Sequence, residues 1–162
     1  MLIDAQNIMA GSYNGVTGAW TGRTFGTTAG AYEATNVIDT SAFNTLKDLG
    51  TGGDLYLVIQ VIEAAVAAGT DGTVTFKLMS DATTTMVGGT EHWTSAALSE
   101  ATLATAGYVV AKVELPRSKT YERYLGVTTT IATQTYSAGT YIAFLTTDPE
   151  VLASYAKNYT IS

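Results

Sequence analysis

The stretch Leu55-Tyr-Leu-Val-Ile-Gln-Val-Ile62 places apolar side chains at both parities of a two-residue repeat, and this constrains the fold more than any other feature of the chain. A strand apolar on both sides needs cover on both sides. It is therefore expected at the centre of a sheet, with a second sheet or a partner over its outer face. After the turn signal Gly69-Thr-Asp-Gly72 comes Thr73-Val-Thr-Phe-Lys-Leu-Met79, in which Val74, Phe76 and Leu78 alternate with Thr75 and Lys77. Because Asp-Gly favours tight turns, the two stretches together predict one long β-hairpin.

Further strands are predicted over 35–39, 91–95, 108–115, 124–133 and 140–145. Val109, Ala111, Val113 and Leu115 share one face, opposite Lys112 and Glu114; Leu125, Val127, Thr129 and Ile131 alternate with Tyr124, Gly126, Thr128 and Thr130. Gly50-Thr-Gly-Gly53, Gly88-Gly89, Pro116 and Ala138-Gly139 read as turns between strands. Short helices are predicted over 99–104 and 149–156, the second with Asp148 as N-cap and Pro149 at its first position. Ala64 to Ala68 is helix-prone in composition but too short to nucleate alone.

Seven or eight short strands with little helix predict an all-β chain, a jelly-roll-like antiparallel β-sandwich. A length of 162 residues suits one domain with its own core. Three regions are expected: an N-terminal arm or extra hairpin over 1–33, the sandwich over 34–148 and a C-terminal extension over 149–162.

The N-terminal region is rich in Gly and Thr, with glycines at 11, 15, 18, 22, 26 and 30. Glycine makes ordering costly, yet Tyr13, Trp20, Phe25 and Tyr32 interrupt the run, and aromatic rings supply large contact areas with few rotors to freeze. Two arrangements are open. The arm binds a partner chain, or it folds as an extra hairpin on its own subunit.

Charged residues make up 14% of the chain, against about 25% in ordinary soluble domains, so the polar surface must be largely hydroxyl. Thr83-Thr-Thr85, Thr128-Thr-Thr130 and Thr133-Gln-Thr135 supply it, and such a surface loses less on desolvation than one crowded with Lys and Glu. The net charge of −6 argues against nucleic acid as a partner. The local basic concentration is Arg117, Lys119 and Arg123, which reads either as a solvated loop or as a partner-binding patch. There are no cysteines, so thiol chemistry and thiolate metal sites are excluded. No apolar run is long enough to span a bilayer as a helix, and Met1-Leu-Ile-Asp4 lacks the start of a secretion signal; neither membrane insertion nor signal-peptide export is expected.

Catalytic patterns are sparse. His92 is the single histidine and stands beside Glu91, without a Gly-x-Ser-x-Gly nucleophile turn or a His-Glu-x-x-His metal motif. The carboxylates are dispersed, so a paired glycosidase site is a remote possibility. No cofactor is expected and the chain is not expected to be an enzyme.

Several segments taken in order carry a resemblance: Asn36-Val-Ile-Asp39, Leu49-Gly-Thr-Gly-Gly-Asp-Leu-Tyr-Leu-Val58, Ala64-Ala-Val-Ala-Ala-Gly69 leading to Thr73-Val-Thr-Phe76, Leu115-Pro116, Glu122-Arg-Tyr-Leu125 and Ala138-Gly-Thr-Tyr-Ile-Ala-Phe-Leu145, after Met1-Leu-Ile-Asp4 at the start. Over roughly residues 36–148 the chain resembles the jelly-roll capsid cement (decoration) proteins of tailed double-stranded-DNA bacteriophages. The arm from Gly11 to Glu33 is longer than the linker expected of that family, and the tail after Asp148 is extended.

The resemblance implies a structural virion protein made in the bacterial host cytoplasm and carried on the outer surface of the capsid. Its partners would be the phage major capsid protein and further copies of itself, as a homodimer or homotrimer. Residues expected to touch those partners are Tyr13, Trp20, Arg23, Phe25, Tyr32, Arg117, Lys119 and Arg123. The alternative is a carbohydrate-binding jelly roll of a phage receptor-binding or accessory head protein, with Trp20, Trp93 and tyrosines stacking on sugars.

Overall fold

The computed structural model describes residues 7–32, 36–43, 54–69, 72–116 and 119–150. The predicted helix over 149–156 and the turn at Gly50–Gly53 fall mostly or wholly outside them, as do Arg117 and the centre of the connection at 70–71.

Two antiparallel sheets pack face to face. The first contains β1 (Ile8–Ala10), β13 (Tyr136–Thr146), β7 (Tyr56–Ala67) and β11 (Val109–Glu114) in that order, with β4 (Arg23–Thr24) also paired to β13. The second contains β8 (Thr73–Asp81) and β12 (Tyr124–Ala132) at its centre. There β9 (Thr90–Thr94) and β10 (Leu98–Ser99) pair with β8, while β5 (Gly30–Tyr32) and β6 (Ile38–Asp39) pair with β12. A separate hairpin joins β2 (Ser12–Asn14) to β3 (Ala19–Thr21).

Chain order makes this a jelly roll. The early strand β1 lies beside the last strand β13 and the middle strands β7 and β11 complete that sheet, while β5–β6, β12, β8 and β9–β10 form the other. The sequence thus predicts the fold class correctly, but β7 and β8 do not form the expected hairpin. They belong to opposite sheets, β7 pairing with β13 and β11, and β8 with β12, β9 and β10. The chain between them crosses from one layer to the other.

The inner faces follow the two-residue period. Leu57, Ile59 and Val61 of β7 meet Val74, Phe76 and Leu78 of β8 and Leu125, Val127 and Ile131 of β12 in one buried cluster. Burying a side chain of this size stabilises the fold by about 1.5–3 kcal/mol, so the cluster is the main source of stability. Phe25 sits inside it, with ring centroids 5.3 Å from Tyr141 and 5.5 Å from Tyr136.

Three local departures have packing causes. Ala64–Ala67, helix-prone in composition, extends β7 beyond the expected strand, because Val66 pairs with Ala138 and Ala67 with Tyr136 across to β13. Ala138-Gly139 is within β13 and not a turn: Gly139 has φ +111°, and a Cβ there would stand 2.6 Å from the Ala65 Cα, so only glycine permits the close approach. In β11 the register shifts between Val109 and Ala111, and Val110, not Val109, packs against the core. The predicted short helix is present as α1 (Glu100–Leu103), N-capped by Ser99.

Candidate interaction surface

The outer face of the first sheet would be apolar if left bare. Val58, Ile142 and Phe144 point away from the main core, yet each is fully buried. Their cover is the β2–β3 hairpin. Tyr13 and Trp20 are cross-strand partners, their ring centroids lie 5.0 Å apart, and Trp20 stacks on Phe144 at 5.5 Å and 26°. The expectation that the two-faced Leu55–Ile62 stretch needs outer cover is met by the chain itself, so the arm is an extra hairpin on its own subunit at these residues.

The hairpin is held at both ends. Gly11 has φ +80°, and a Cβ there would come within 2.6 Å of the Thr21 carbonyl oxygen. At the tip the Asn14 side-chain oxygen accepts from the Val16 and Thr17 backbone N–H groups, at 2.9 and 3.2 Å, and the Asn14 carbonyl accepts from Gly18 N–H at 2.8 Å. This turn displays Val16 almost completely to solvent.

The second sheet has the opposite character. Its outer face carries Thr73, Thr75 and Lys77 on β8 across from Ala132, Thr130 and Thr128 on β12. Lys77 forms an ion pair with Glu91 at 2.7 Å. Below them Arg123 makes a two-point contact with Asp39, at 3.2 and 2.9 Å, while its guanidinium lies 4.8 Å from the Tyr124 ring centroid. The Arg123 hydrogen bonds, helped by those from Ser41, hold the Asp39 carboxyl well below the usual carboxylate range. The Thr40 hydroxyl and N–H both donate to the Arg123 carbonyl, at 2.8 Å each, fixing this corner.

A Ser–His pair occurs at the same end. Ser80 Oγ lies 2.7 Å from His92 Nε2, and the His92 ring packs 4.3 Å from that of Tyr121. Ser80 is wholly buried and its oxygen also accepts from Glu122 N–H at 3.0 Å, so a substrate has no path to it. His92 Nδ1 is buried without a partner, where a hydrolase would place its orienting carboxylate. Burial lowers the His92 pKa, aided by the Lys119 charge and opposed by Glu122. The geometry ties β8, β9 and the 119–122 segment together. Among the described residues no three His, Asp or Glu side chains gather to hold a metal ion.

The sequence-predicted contact residues are therefore scattered. Tyr13 and Trp20 are half-buried against their own sheet, and Phe25, at 3% exposure, is a core residue with no surface to offer a partner. Arg23 pairs in register with Tyr141 and its charge lies near the buried Tyr141 hydroxyl, whose pKa burial raises and Arg23 partly restores. Tyr32 pairs through its backbone with Thr129. Lys119 and Arg123 are exposed at one end of the sandwich, and Arg117 lies outside the described residues. Trp93 packs against the main core and Trp20 on Phe144, and each indole is half-buried.

The Bbp16 family model matches residues 22–145, a span that runs from the hairpin base through the last strand. No curated protein matches the chain. The chain belongs to the Bbp16 family.

Proposed function

We propose that this member of the Bbp16 family is a structural virion protein, a cement subunit that binds the outside of a phage capsid and bridges neighbouring major capsid proteins. The observation that carries this reading is the jelly roll itself. Strands β6 to β13 fall within the span that resembles phage cement proteins, and the apolar outer face of the β7–β13 sheet is sealed by the chain's own hairpin. The family name, of a phage type, points the same way.

Such a role asks for rigidity and surface. A sandwich with a continuous core and one roofed face is stiff, and a hydroxyl-rich exterior can be covered at low desolvation cost. Modest contacts suffice when many copies each touch two or more shell subunits, because linkage raises effective concentration. The negative net charge favours a basic complement on the shell and a salt-sensitive association rate.

The test is thermal rupture of DNA-filled heads with and without the protein, alongside co-sedimentation of the protein with empty shells. Retention on shells and a higher rupture temperature are expected. Equal rupture temperatures together with no retention would remove the cement role.

A further inference from the structure

The tip of the β2–β3 hairpin carries Asn14-Gly15, and among the five asparagines of the chain Asn14 alone precedes a glycine. The others stand before Ile8, Val37, Thr45 and Tyr159, three β-branched residues and one aromatic. The backbone nitrogen after an asparagine is a nucleophile that chain connectivity holds near the side-chain carbonyl carbon. A β-branched or aromatic neighbour crowds that nitrogen, whereas glycine leaves it open. Space at Gly15 is wide: a Cβ there would meet no atom within 4 Å, and residues 14–18 are all exposed to water.

The turn arranges the other participants. Asn14 Oδ1 accepts from the N–H groups of Val16 and Thr17, at 2.9 and 3.2 Å. These bonds fold the side chain back along the chain, which brings its carbonyl carbon over the Gly15 nitrogen. Because both donors meet the oxygen, the amide nitrogen is the atom left outside the turn. Two backbone N–H groups on one carbonyl oxygen are also the donor set that stabilises the oxyanion of an acyl-transfer intermediate.

We propose that Asn14 is a modification site, at which the hairpin tip converts its own asparagine to aspartate and isoaspartate with water as co-reactant. Gly15 N attacks Asn14 Cγ and gives up its proton to water, while the Val16 and Thr17 N–H groups hold the charge that develops on Oδ1. Nδ2 then takes a proton and leaves as ammonia, closing a five-membered succinimide across residues 14 and 15. A water molecule adds to one of the two ring carbonyls. Breaking the new Cγ–N bond yields aspartate; breaking the old peptide bond yields isoaspartate, with one more carbon in the main chain. No electron is gained or lost.

Either product sets a carboxylate beside the exposed Val16. The isoaspartyl form also lengthens the tip next to the Tyr13–Trp20 pair that roofs the β7–β13 sheet. The site stands independently of the cement reading.

The experiment incubates the purified full chain at physiological temperature, with samples digested for peptide mass spectrometry and an isoaspartyl methyltransferase assay reporting the isoaspartyl form. Conversion at position 14 is expected to run roughly tenfold or more ahead of the other four asparagines, and to fall roughly tenfold in Gly15→Ala. Gly15 is not held at positive φ and has room for a methyl group, and thermal melting checks that the variant folds. Conversion in the folded protein is expected at least to equal that of the same chain unfolded in urea, because only the fold supplies the two N–H donors. Conversion at Asn14 no faster than at the other asparagines of the unmodified protein, or unchanged in Gly15→Ala, would overturn the site. Faster conversion in urea would show that the turn shields Asn14 and would overturn it as well.

Discussion

The two outward faces of this sandwich differ although both sheets are built from alternating antiparallel strands. The face of the β7–β13 sheet is apolar and roofed by the Tyr13–Trp20 hairpin, whereas that of the β8–β12 sheet is threonine-rich and open. The difference arises in the sequence, strand by strand. β7 and β13 are apolar at both parities, and β8 and β12 at one. Leaving Val58, Ile142 and Phe144 uncovered would forgo several kcal/mol, a large fraction of the about 5–15 kcal/mol that holds a domain folded. A self-supplied roof therefore belongs to the stability of the fold, and the open face is available to other uses.

The sharpest way to break this contrast is to remove one side chain from each face. Trp20→Ala is expected to destabilise the protein by about 2–4 kcal/mol and to expose an apolar patch, while Thr128→Ala on the open face stays within about 0.5 kcal/mol. Denaturant unfolding measures both, and equal losses would show that the hairpin is ornamental. Next in size is Gly139→Ala, which would drive a methyl group against the Ala65 backbone and strain a positive φ. A loss of about 2 kcal/mol is expected by the same measurement, and no loss would mean that β13 and β7 are less closely apposed there than the roofed sheet requires.

Smaller effects should separate the sheets by pH. The open sheet is tied at one end by titratable groups. His92 has its folded pKa lowered, so the unfolded chain binds more protons as pH falls below about 6.5; stability is full above that value and declines beneath it. The decline from pH 7.5 to 5.5 should shrink in His92→Gln, followed by melting temperature, and an unchanged slope would remove His92 from the effect. Asp39 works in the other part of the scale. Its folded pKa is depressed, so its contribution is present above about pH 4 and is lost as pH falls through the folded value. The pair with Arg123 is exposed, so the effect is the smallest of the set. Melting of Asp39→Asn should differ slightly from the parent at pH 6 and converge with it at low pH.

Much of this architecture was legible because buried strands leave a period-two trace. The alternation of Leu125 to Ile131 and the two-sided apolarity of Leu55 to Ile62 gave the strands and the need for a cover. Partner choice was not legible. The Asp71-Gly72 turn signal is local, while β7 selects β13 and β11 by matching apolar faces across the whole molecule, so neighbours in sequence became members of opposite sheets. The extent of β7 was hidden for a similar reason, since the helix-prone composition of Ala64–Ala67 masks a ladder of cross-strand bonds. Among the expected contact residues, aromatic character did not distinguish Phe25, which fills the core, from Trp20, which roofs the sheet.

The most direct test of the bracing role is a cryo-electron microscopy map of heads assembled with the protein. The account predicts jelly-roll density on the outer surface, spanning a seam between adjacent major capsid subunits. Heads with bare seams, and the protein left free in solution, would contradict it.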